Sequence, residues 1–331
     1  MSVRRDRRDR QRGFTLIEIM VALTLMAVVI GFAMQIAISV TTAFRDTREA
    51  QGAERDVRSA IEFLSDIVRA GSSGVQTSDL RDASNCTVAP AMAVENHNDG
   101  PDKLTILYAS GGVLTSLRSV FTGSSTSLDI MDSTGLSIGD SVIVTNGDVG
   151  RLVAVNSLSA SSGPATIGTT SPNGACPTVS MPGAGFAIGS LILRGKVARF
   201  YVANASDGTP MLWMDPDGDG PAIGQPVAEG IEDLQIAVGV DLNGDGTITD
   251  SASTTDEWYY NAPGDPAPPD PTVTRWSAIR INLVARTLTD HGTVLQSSRP
   301  ALEDHPGGPQ DVYRRRVLST VVEIRNLEPN P

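Results

Sequence analysis

One long uncharged stretch near the N terminus restricts this 331-residue chain more than any other feature. From Phe14 to Phe44 the single charged residue is Glu18. About 20 consecutive apolar residues are enough for a helix to cross a bilayer, so we predict a membrane anchor here. A carboxylate inside such a segment is costly to bury, and its presence indicates a functional role for Glu18.

The residues before this stretch are strongly basic. Residues 1–13 hold six arginines against Asp6 and Asp9, a net charge of +4. Lys and Arg are retained on the cytoplasmic side of a membrane, so we expect this leader to stay inside while the rest of the chain is exported. The whole chain carries a formal charge of −12. That charge disfavours nucleic-acid binding, because phosphate recognition requires clustered Lys and Arg.

A cleaved secretory signal and a simple anchor are the ordinary explanations for an apolar stretch. A secretory signal has an apolar core of about 7–15 residues, followed by small residues in an Ala-x-Ala pattern. The stretch here is longer, and Ala37-Ile38-Ser39 matches that pattern only weakly. A simple membrane anchor does not require a carboxylate such as Glu18 in its apolar segment. Neither explanation accounts for both the length of the stretch and its lone acid.

The residues at the start of the stretch do account for both. Gly13-Phe14-Thr15-Leu16-Ile17-Glu18 resembles the cleavage and methylation motif of type IV prepilins and pseudopilins. The resemblance implies that a prepilin peptidase cuts between Gly13 and Phe14 and then N-methylates Phe14. It also implies that Glu18, then the fifth residue, pairs with the N-terminal amine of a neighbouring subunit. An amine and a carboxylate attract strongly in a low dielectric, which favours correct axial register between subunits.

The helix is predicted to run well beyond the apolar stretch. No proline occurs between Phe14 and Cys86, so we predict one helix over residues 14–70, with a membrane anchor at 14–44 and an amphipathic stalk at 45–70. Apolar residues of the stalk recur at three- and four-residue spacing, which is typical of a helix packed on a sheet. They include Val57, Ile61, Leu64 and Val68.

Residues 71–331 are predicted to form a β-rich head. Short alternating segments rich in Val, Ile and Thr, separated by Gly, Asn and Asp, indicate antiparallel strands. They are expected at 103–110, 127–131, 140–145, 151–155, 190–203, 231–240, 277–287 and 317–325. The Ser/Thr/Gly-rich region at about 111–190 is predicted to be a β-rich insertion. A helix followed by an antiparallel sheet makes this an α+β fold, and the resemblance implies that the fold is pilin-like.

Three blocks in the C-terminal half make the resemblance more specific. Residues 228–236, 276–281 and 313–317 look like PilW-type minor pilins, and next like the J-type pseudopilins.

The two cysteines, Cys86 and Cys176, lie beside turn-prone sequence. In an exported domain a disulfide between them is the favoured prediction, and two buried thiols are the alternative. Closing so long a loop stabilises a fold by about 4–5 kcal/mol in the chain-entropy model.

Two acidic loops share the spacing Asp-x-Asp/Asn-x-Asp-Gly, which directs side-chain oxygens toward a hard cation. The first loop has Asp215, Asp217 and Asp219; the second has Asp241, Asn243 and Asp245, with Asp250 as a further ligand. Both loops lack the Glu that completes a full calcium loop. Calcium at one of them is therefore predicted against the alternative of a solvated Asp/Gly turn.

Catalysis has little support in the sequence. His97, His291 and His305 show no metal-ligand spacing, and no Gly-rich phosphate loop follows a strand in the required way. We therefore expect no enzymatic activity, no small-molecule substrate and no cofactor other than calcium.

The resemblance implies a minor type IV pilin of PilW type, anchored in the inner membrane with a periplasmic or extracellular head. It is expected to help initiate or prime pilus assembly in a tip complex, contacting other minor and major pilins through its N-terminal helix. One alternative is a minor pseudopilin of a type II secretion system. Another is a secreted β-rich binding protein with a conventional signal sequence.

Overall fold

The computed structural model describes residues 15–71, 80–81, 88–89, 92–121, 127–147, 150–170, 185–216, 224–251, 256–269, 274, 276–288 and 297–324. The chain divides into two compact units, Met1–Gln51 and Gly52–Pro331. One helix, α1 (Leu16–Ala70), contributes to both units.

In the first unit, the described side chains of α1 from Leu16 to Arg48 are all exposed. The helix is long and apolar enough to cross a membrane, with a mean hydropathy of 2.5 over its best window. Its threonine hydroxyls bond to backbone carbonyls one turn earlier, as from Thr41 to Ala37 at 2.8 Å and from Thr42 to Ile38 at 2.9 Å. The first unit therefore presents a nearly continuous apolar surface whose threonine hydroxyls already have partners.

In the second unit, the final turns of α1 bury one face. The buried residues are those that the periodicity predicted, together with two neighbours: Val57, Ala60, Ile61, Leu64, Ile67 and Val68. The helix ends where Gly71 passes close to β-strand side chains. A Cβ atom at Gly71 would lie 2.9 Å from Ile106 Cγ2 and 3.0 Å from Met92 Cε, so this position is restricted to glycine.

The described residues form seventeen strands. They are β1 (Leu80–Arg81), β2 (Val88–Ala89), β3 (Met92–Glu95), β4 (Lys103–Ser116), β5 (Ser127–Ile130), β6 (Ser141–Thr145), β7 (Gly150–Leu158), β8 (Ala165–Thr170), β9 (Leu191–Asn204), β10 (Pro210–Asp215), β11 (Gln225–Glu229), β12 (Ile231–Gly239), β13 (Trp258–Tyr259), β14 (Ala278–Arg286), β15 (Ser297–Ser298), β16 (Gln310–Asp311) and β17 (Arg315–Glu323).

The larger sheet has nine strands, all paired antiparallel around β9. One edge of β9 pairs with β4 along most of its length, and the other pairs with β10 and then β6. Strands β7, β8 and β5 continue the sheet beyond β6, and β11 and β3 complete it. Side chains of β5, β6, β7 and β8 form a separate apolar core that includes Leu128, Val144, Val153 and Ile167.

The smaller sheet has four antiparallel strands in the order β13-β12-β14-β17. Alternate residues of β12 and β14 point to one face, where they share a single core with α1 and with side chains of the larger sheet. Leu64, Phe200, Leu234 and Ile281 lie in this core and are each 0% exposed. The other face of β12 and β14 carries polar side chains.

The prediction of a long N-terminal helix followed by antiparallel β-structure, an α+β class, is confirmed. The eight predicted strands correspond to β4, β5, β6, β7, β9, β12, β14 and β17, with ends shifted by up to six residues. The sequence reasoning did not identify the other nine, of which β8, β10 and β11 belong with β3 to the larger sheet. Residues 111–190, predicted as an insertion, supply the end of β4 and all of β5 to β8. They join the larger sheet because β6 pairs directly with β9.

Candidate functional site

Glu18 lies in the first turn of α1, where it closes a capping box with Thr15. The Thr15 amide and hydroxyl each donate to Glu18 Oε2 at 3.0 Å, and the Glu18 amide donates to Thr15 Oγ1 at 3.3 Å. A threonine followed three residues later by a glutamate satisfies amides that a helix N terminus otherwise leaves unpaired. The Thr-x-x-Glu signature is visible in the sequence, so this second role of Glu18 was available to sequence reasoning and was missed.

The capping box uses only one of the two oxygens of the Glu18 carboxylate. Both Thr15 bonds go to Oε2, and Oε1 accepts no hydrogen bond from the residues that the structure describes. The next charged residue after Glu18 along the helix is Arg45. A negative charge in the first turn is favoured by the helix dipole. The arrangement therefore holds one anionic oxygen in a fixed position on an apolar helix, where a cation from another molecule can reach it.

Several predicted site residues lie outside the described residues. They are Gly13, Phe14, Cys86, Cys176, Asp217 and Asp219. Peptidase cleavage, methylation and the disulfide therefore stay predictions. Of the first acidic loop only Asp215 is described, and it ends β10 at 1% exposure.

The second acidic loop forms a tight turn whose side-chain oxygens bond to the loop's own amides. Asp241 accepts the Gly244 amide at 2.7 Å and the Gly246 amide at 2.9 Å, and Asn243 accepts the Asp245 amide at 2.8 Å. Hydrogen bonds from Thr247 to its side chain lower the pKa of Asp245. Among the described residues, no group of three His, Cys, Asp or Glu side chains is arranged to hold a metal ion. Calcium binding stays a prediction.

A buried glutamate, which the sequence reasoning did not select, holds the base of this loop. Glu257 is 3% exposed. Its Oε1 accepts the amides of Leu242 and Asn243 at 3.0 and 3.3 Å, and its Oε2 accepts the Thr249 amide at 2.8 Å.

Asp250, predicted as a further calcium ligand, pairs with Arg280 of β14 in this structure. Arg280 Nη1 donates to Asp250 Oδ2 at 2.7 Å, while Nε and Nη2 donate to the two oxygens of Glu303 at 2.8 Å each. Glu303 Oε1 also accepts a hydrogen bond from the side-chain amide of Asn282, at 2.6 Å. The guanidinium lies 4.4 Å from the centre of the Trp258 ring. Glu303 thereby fastens the segment 297–311 to the polar face of the smaller sheet.

The same segment is fastened a second time by a buried cluster around Asp233, which is 0% exposed. Asp233 Oδ2 accepts Arg299 Nη1 at 2.7 Å and lies 2.9 Å from His305 Nδ1. Arg299 Nη2 lies 2.9 Å from His305 Nε2. Arg299 Nη1 also lies 2.8 Å from His305 Nδ1, so both ring nitrogens are in contact with the guanidinium. Gln235 Nε2 donates to the other oxygen of Asp233, Oδ1, at 2.9 Å. Because its ring is held between Asp233 and Arg299, His305 has a structural role here.

Asp102 bridges this cluster to the loop before β4. It is 1% exposed, and it accepts the His97 and Ile236 amides at 2.8 Å each. Burial, with smaller contributions from the charges of Asp304 and Asp233, raises the pKa of Asp102 to about 8 despite those two hydrogen bonds. The surroundings of Asp102 thus favour its protonated form near neutral pH.

Comparisons with known proteins match two separate regions of the chain. Residues 8–34 match the prokaryotic N-terminal methylation motif, and residues 199–326 match the family described as Type IV Pilus-assembly protein W. No curated protein matches the sequence. Among solved structures the chain is similar to the type IV-like pilin TTHA1219 from Thermus thermophilus, at 13% identity and a TM-score of 0.37, with 83% of this chain and 97% of that chain covered.

The matched regions include the features described above. The motif at 8–34 contains Gly13, Phe14 and Glu18. The region at 199–326 contains the smaller sheet and the segment 297–311 that is fastened to it.

Proposed function

We propose that this chain, a type IV pilin-like protein of PilW type by its two family matches, is a minor pilin that helps to prime pilus assembly. The observation that carries the proposal is Glu18, a single carboxylate with one unused oxygen in the first turn of an exposed apolar helix. An ion pair between that oxygen and the N-terminal amine of a neighbouring pilin relieves the desolvation of both charges.

The proposal includes processing and location. Cleavage between Gly13 and Phe14 by a prepilin peptidase, followed by methylation of Phe14, leaves a chain that begins at the apolar helix. Residues 14–44 then anchor it in the inner membrane, with the head on the far side, and the helix packs against other minor and major pilins in the filament.

Mass spectrometry of the N-terminal peptide, from native membranes and from sheared surface fibres, tests the processing. We expect a chain that starts at N-methylated Phe14. A chain starting at Met1, or near residue 40 as a conventional signal sequence predicts, overturns the proposal.

Three variants separate the charge of Glu18 from its capping role. Glu18→Gln keeps an oxygen for the Thr15 bonds and removes the charge, whereas Thr15→Val removes the cap and keeps the charge. We expect Glu18→Gln and Glu18→Ala to be processed normally but to fall at least about tenfold in sheared fibres, consistent with loss of a desolvated ion pair. Thr15→Val is expected to stay within about fivefold of the parent, because a cap contributes only about 1 kcal/mol. Normal incorporation of Glu18→Gln contradicts the proposed pairing.

The pilus role is distinguished from a type II secretion role by deleting the gene. The family match to a pilus-assembly protein favours the pilus. We expect the deletion to remove surface pili and twitching while exported enzymes still leave the cell. Retention of those enzymes inside a normally piliated cell would assign the chain to a secretion filament.

A further inference from the structure

Strand β17 forms one edge of the smaller sheet. It pairs with β14 along all nine of its residues without a bulge, and no strand among the described residues pairs with its other side. Natural proteins usually protect such an edge with a proline, a bulge or a very short strand. Residues 315–323 have none of these features, so within the described part of the chain the edge is open to pairing.

One hydrogen bond shows which backbone groups face outward. The Thr287 amide donates to the Arg314 carbonyl. In an antiparallel pair the amide and carbonyl of a residue point to the same side, and that side alternates along the strand. The even-numbered residues of β17 therefore bond to β14. The amides and carbonyls of Val317, Ser319 and Val321 point away from the sheet.

The side chains along this edge form a self-complementary pattern. Val317 and Val321 are 39% and 52% exposed, and both project from the same face at two residues on either side of Ser319. When a second β17 is laid antiparallel with Ser319 opposite Ser319, each Val317 lies opposite the Val321 of the other copy. Directly opposed β-branched residues are favourable cross-strand pairs. The outward amides and carbonyls of these three residues also meet in register.

The charges at the two ends of β17 favour the same arrangement. Arg315 and Arg316 begin the strand, and Glu323 ends it. Arg316 and Glu323 are both exposed, and Arg315 pairs with Glu232 and Asp311. Antiparallel pairing about Ser319 places Arg315 of one copy opposite Glu323 of the other. Parallel pairing would place like charges together, which is unfavourable.

We infer that β17 is the interface of a homodimer, in which two copies of this chain join their smaller sheets across a two-fold axis at Ser319. The partner is a second copy because the pattern is symmetric about one residue, as an isologous interface requires. Pairing closes the open edge of both copies and buries four valine side chains. This dimer is a state beyond the proposed filament contacts of the N-terminal helix, and it does not depend on them.

The inference is tested by crosslinking at the axis in the full chain. Opposed residues in a hydrogen-bonded antiparallel pair have Cα atoms about 5.5 Å apart, a distance that a disulfide spans. Ser319→Cys is therefore expected to form a covalent dimer under mild oxidation in membranes. Mass spectrometry should identify a peptide linked through position 319 in both chains. Ser137→Cys, at an exposed loop position, is the matched control, and the native cysteines remain in both variants.

A second variant tests the interface without a new thiol. Ser319→Pro removes an outward amide that does not bond to β14, and edge strands tolerate such a proline. In chemical crosslinking of the detergent-solubilised full chain, we expect its dimer yield to fall at least about tenfold while its urea unfolding midpoint stays unchanged, since a proline on the edge blocks pairing.

Two results would overturn the homodimer. One is a yield of the 319–319 disulfide no higher than that of the Ser137→Cys control. The other is crosslinking of position 319 to a different pilin in native cells without a self-linked product, which would make β17 a contact for that pilin. Both results leave the Glu18 experiments unaffected, so the two proposals fail separately.

Discussion

Replacing Asp102 by asparagine is expected to reduce the loss of head stability as the pH rises. The pKa of Asp102 is raised from 3.8 to about 8 in the folded chain, mainly by burial. Its protonated form is therefore favoured in the fold. The resulting stabilisation is complete below pH 3.8 and is lost progressively as the pH rises to about 8.

The size of the effect follows from the shift. Each pH unit between the unfolded and folded pKa values changes the free energy of unfolding by about 1.4 kcal/mol for one group. Between pH 5 and pH 7 the native chain should thus lose about 3 kcal/mol through Asp102. An asparagine does not titrate, so Asp102→Asn should not show this loss. The side-chain amide of the new asparagine cannot accept both backbone hydrogen bonds. That cost is independent of pH, so it cancels when the slopes of unfolding free energy against pH are compared.

Urea unfolding followed by tryptophan fluorescence measures the difference. Trp258 and Trp276 are 8% and 3% exposed, so their emission should change when the head unfolds. From pH 5 to pH 7, the difference in the free energy of unfolding between Asp102→Asn and the parent should change by about 3 kcal/mol in favour of the variant. Asp207→Asn, at an exposed turn, is the control and should show no such change. Parallel curves for Asp102→Asn and the parent would refute the reasoning, because they would mean that Asp102 is already charged at pH 5.

Three further predictions concern the head and its acidic loop. Gly71→Ala should destabilise it by about 1–3 kcal/mol, because the new Cβ overpacks a filled site. Gly52→Ala, a helical position with open space around it, should instead stabilise by about 0.5–1 kcal/mol; equal effects in urea unfolding would contradict this contrast. Glu303→Ala should cost about 3 kcal/mol, since its side chain is 8% exposed and its loss leaves a partly buried arginine without its main partner. Asp250→Ala should cost at most about 1 kcal/mol, because Asp250 is 58% exposed; a larger cost than that of Glu303→Ala would reverse the assignment. Calcium titrated at millimolar concentration into the full chain should release heat that is lost in Asp241→Ala, and no heat from the parent would end the calcium prediction.

Features with a local cause were predictable. The apolar helix, its buried face at Val57, Ile61, Leu64 and Val68, and its end at residue 70 all follow from the pattern of nearby residues. Most strands were visible for the same reason, because alternation of apolar and polar residues depends only on neighbours in sequence. The strand β10, rich in Met and Trp, lacks that clean alternation and was missed.

Features that depend on distant residues were not predictable. Asp102, Asp233 and His305 are ordinary polar residues in the sequence, and their roles come from a segment near residue 300 folding back over β12 and β14. The ion pair of Asp250 was not predictable either, because its partner Arg280 lies thirty positions away. No periodicity carries information about such partners.

By itself, the sequence determined that this chain has a basic N-terminal segment, a helix that begins with an apolar stretch holding one acid, and an antiparallel β-rich head, because each of these is specified by composition and short-range pattern. Only the tertiary structure decided that residues 111–190 extend the main sheet, that Asp102 is buried beside two other acids, and that β17 lies at an edge with its valines mirrored about Ser319. Those outcomes depend on which strands pair and what covers them. Pairing and burial join residues far apart in the chain, so they are set by the packing of the whole head.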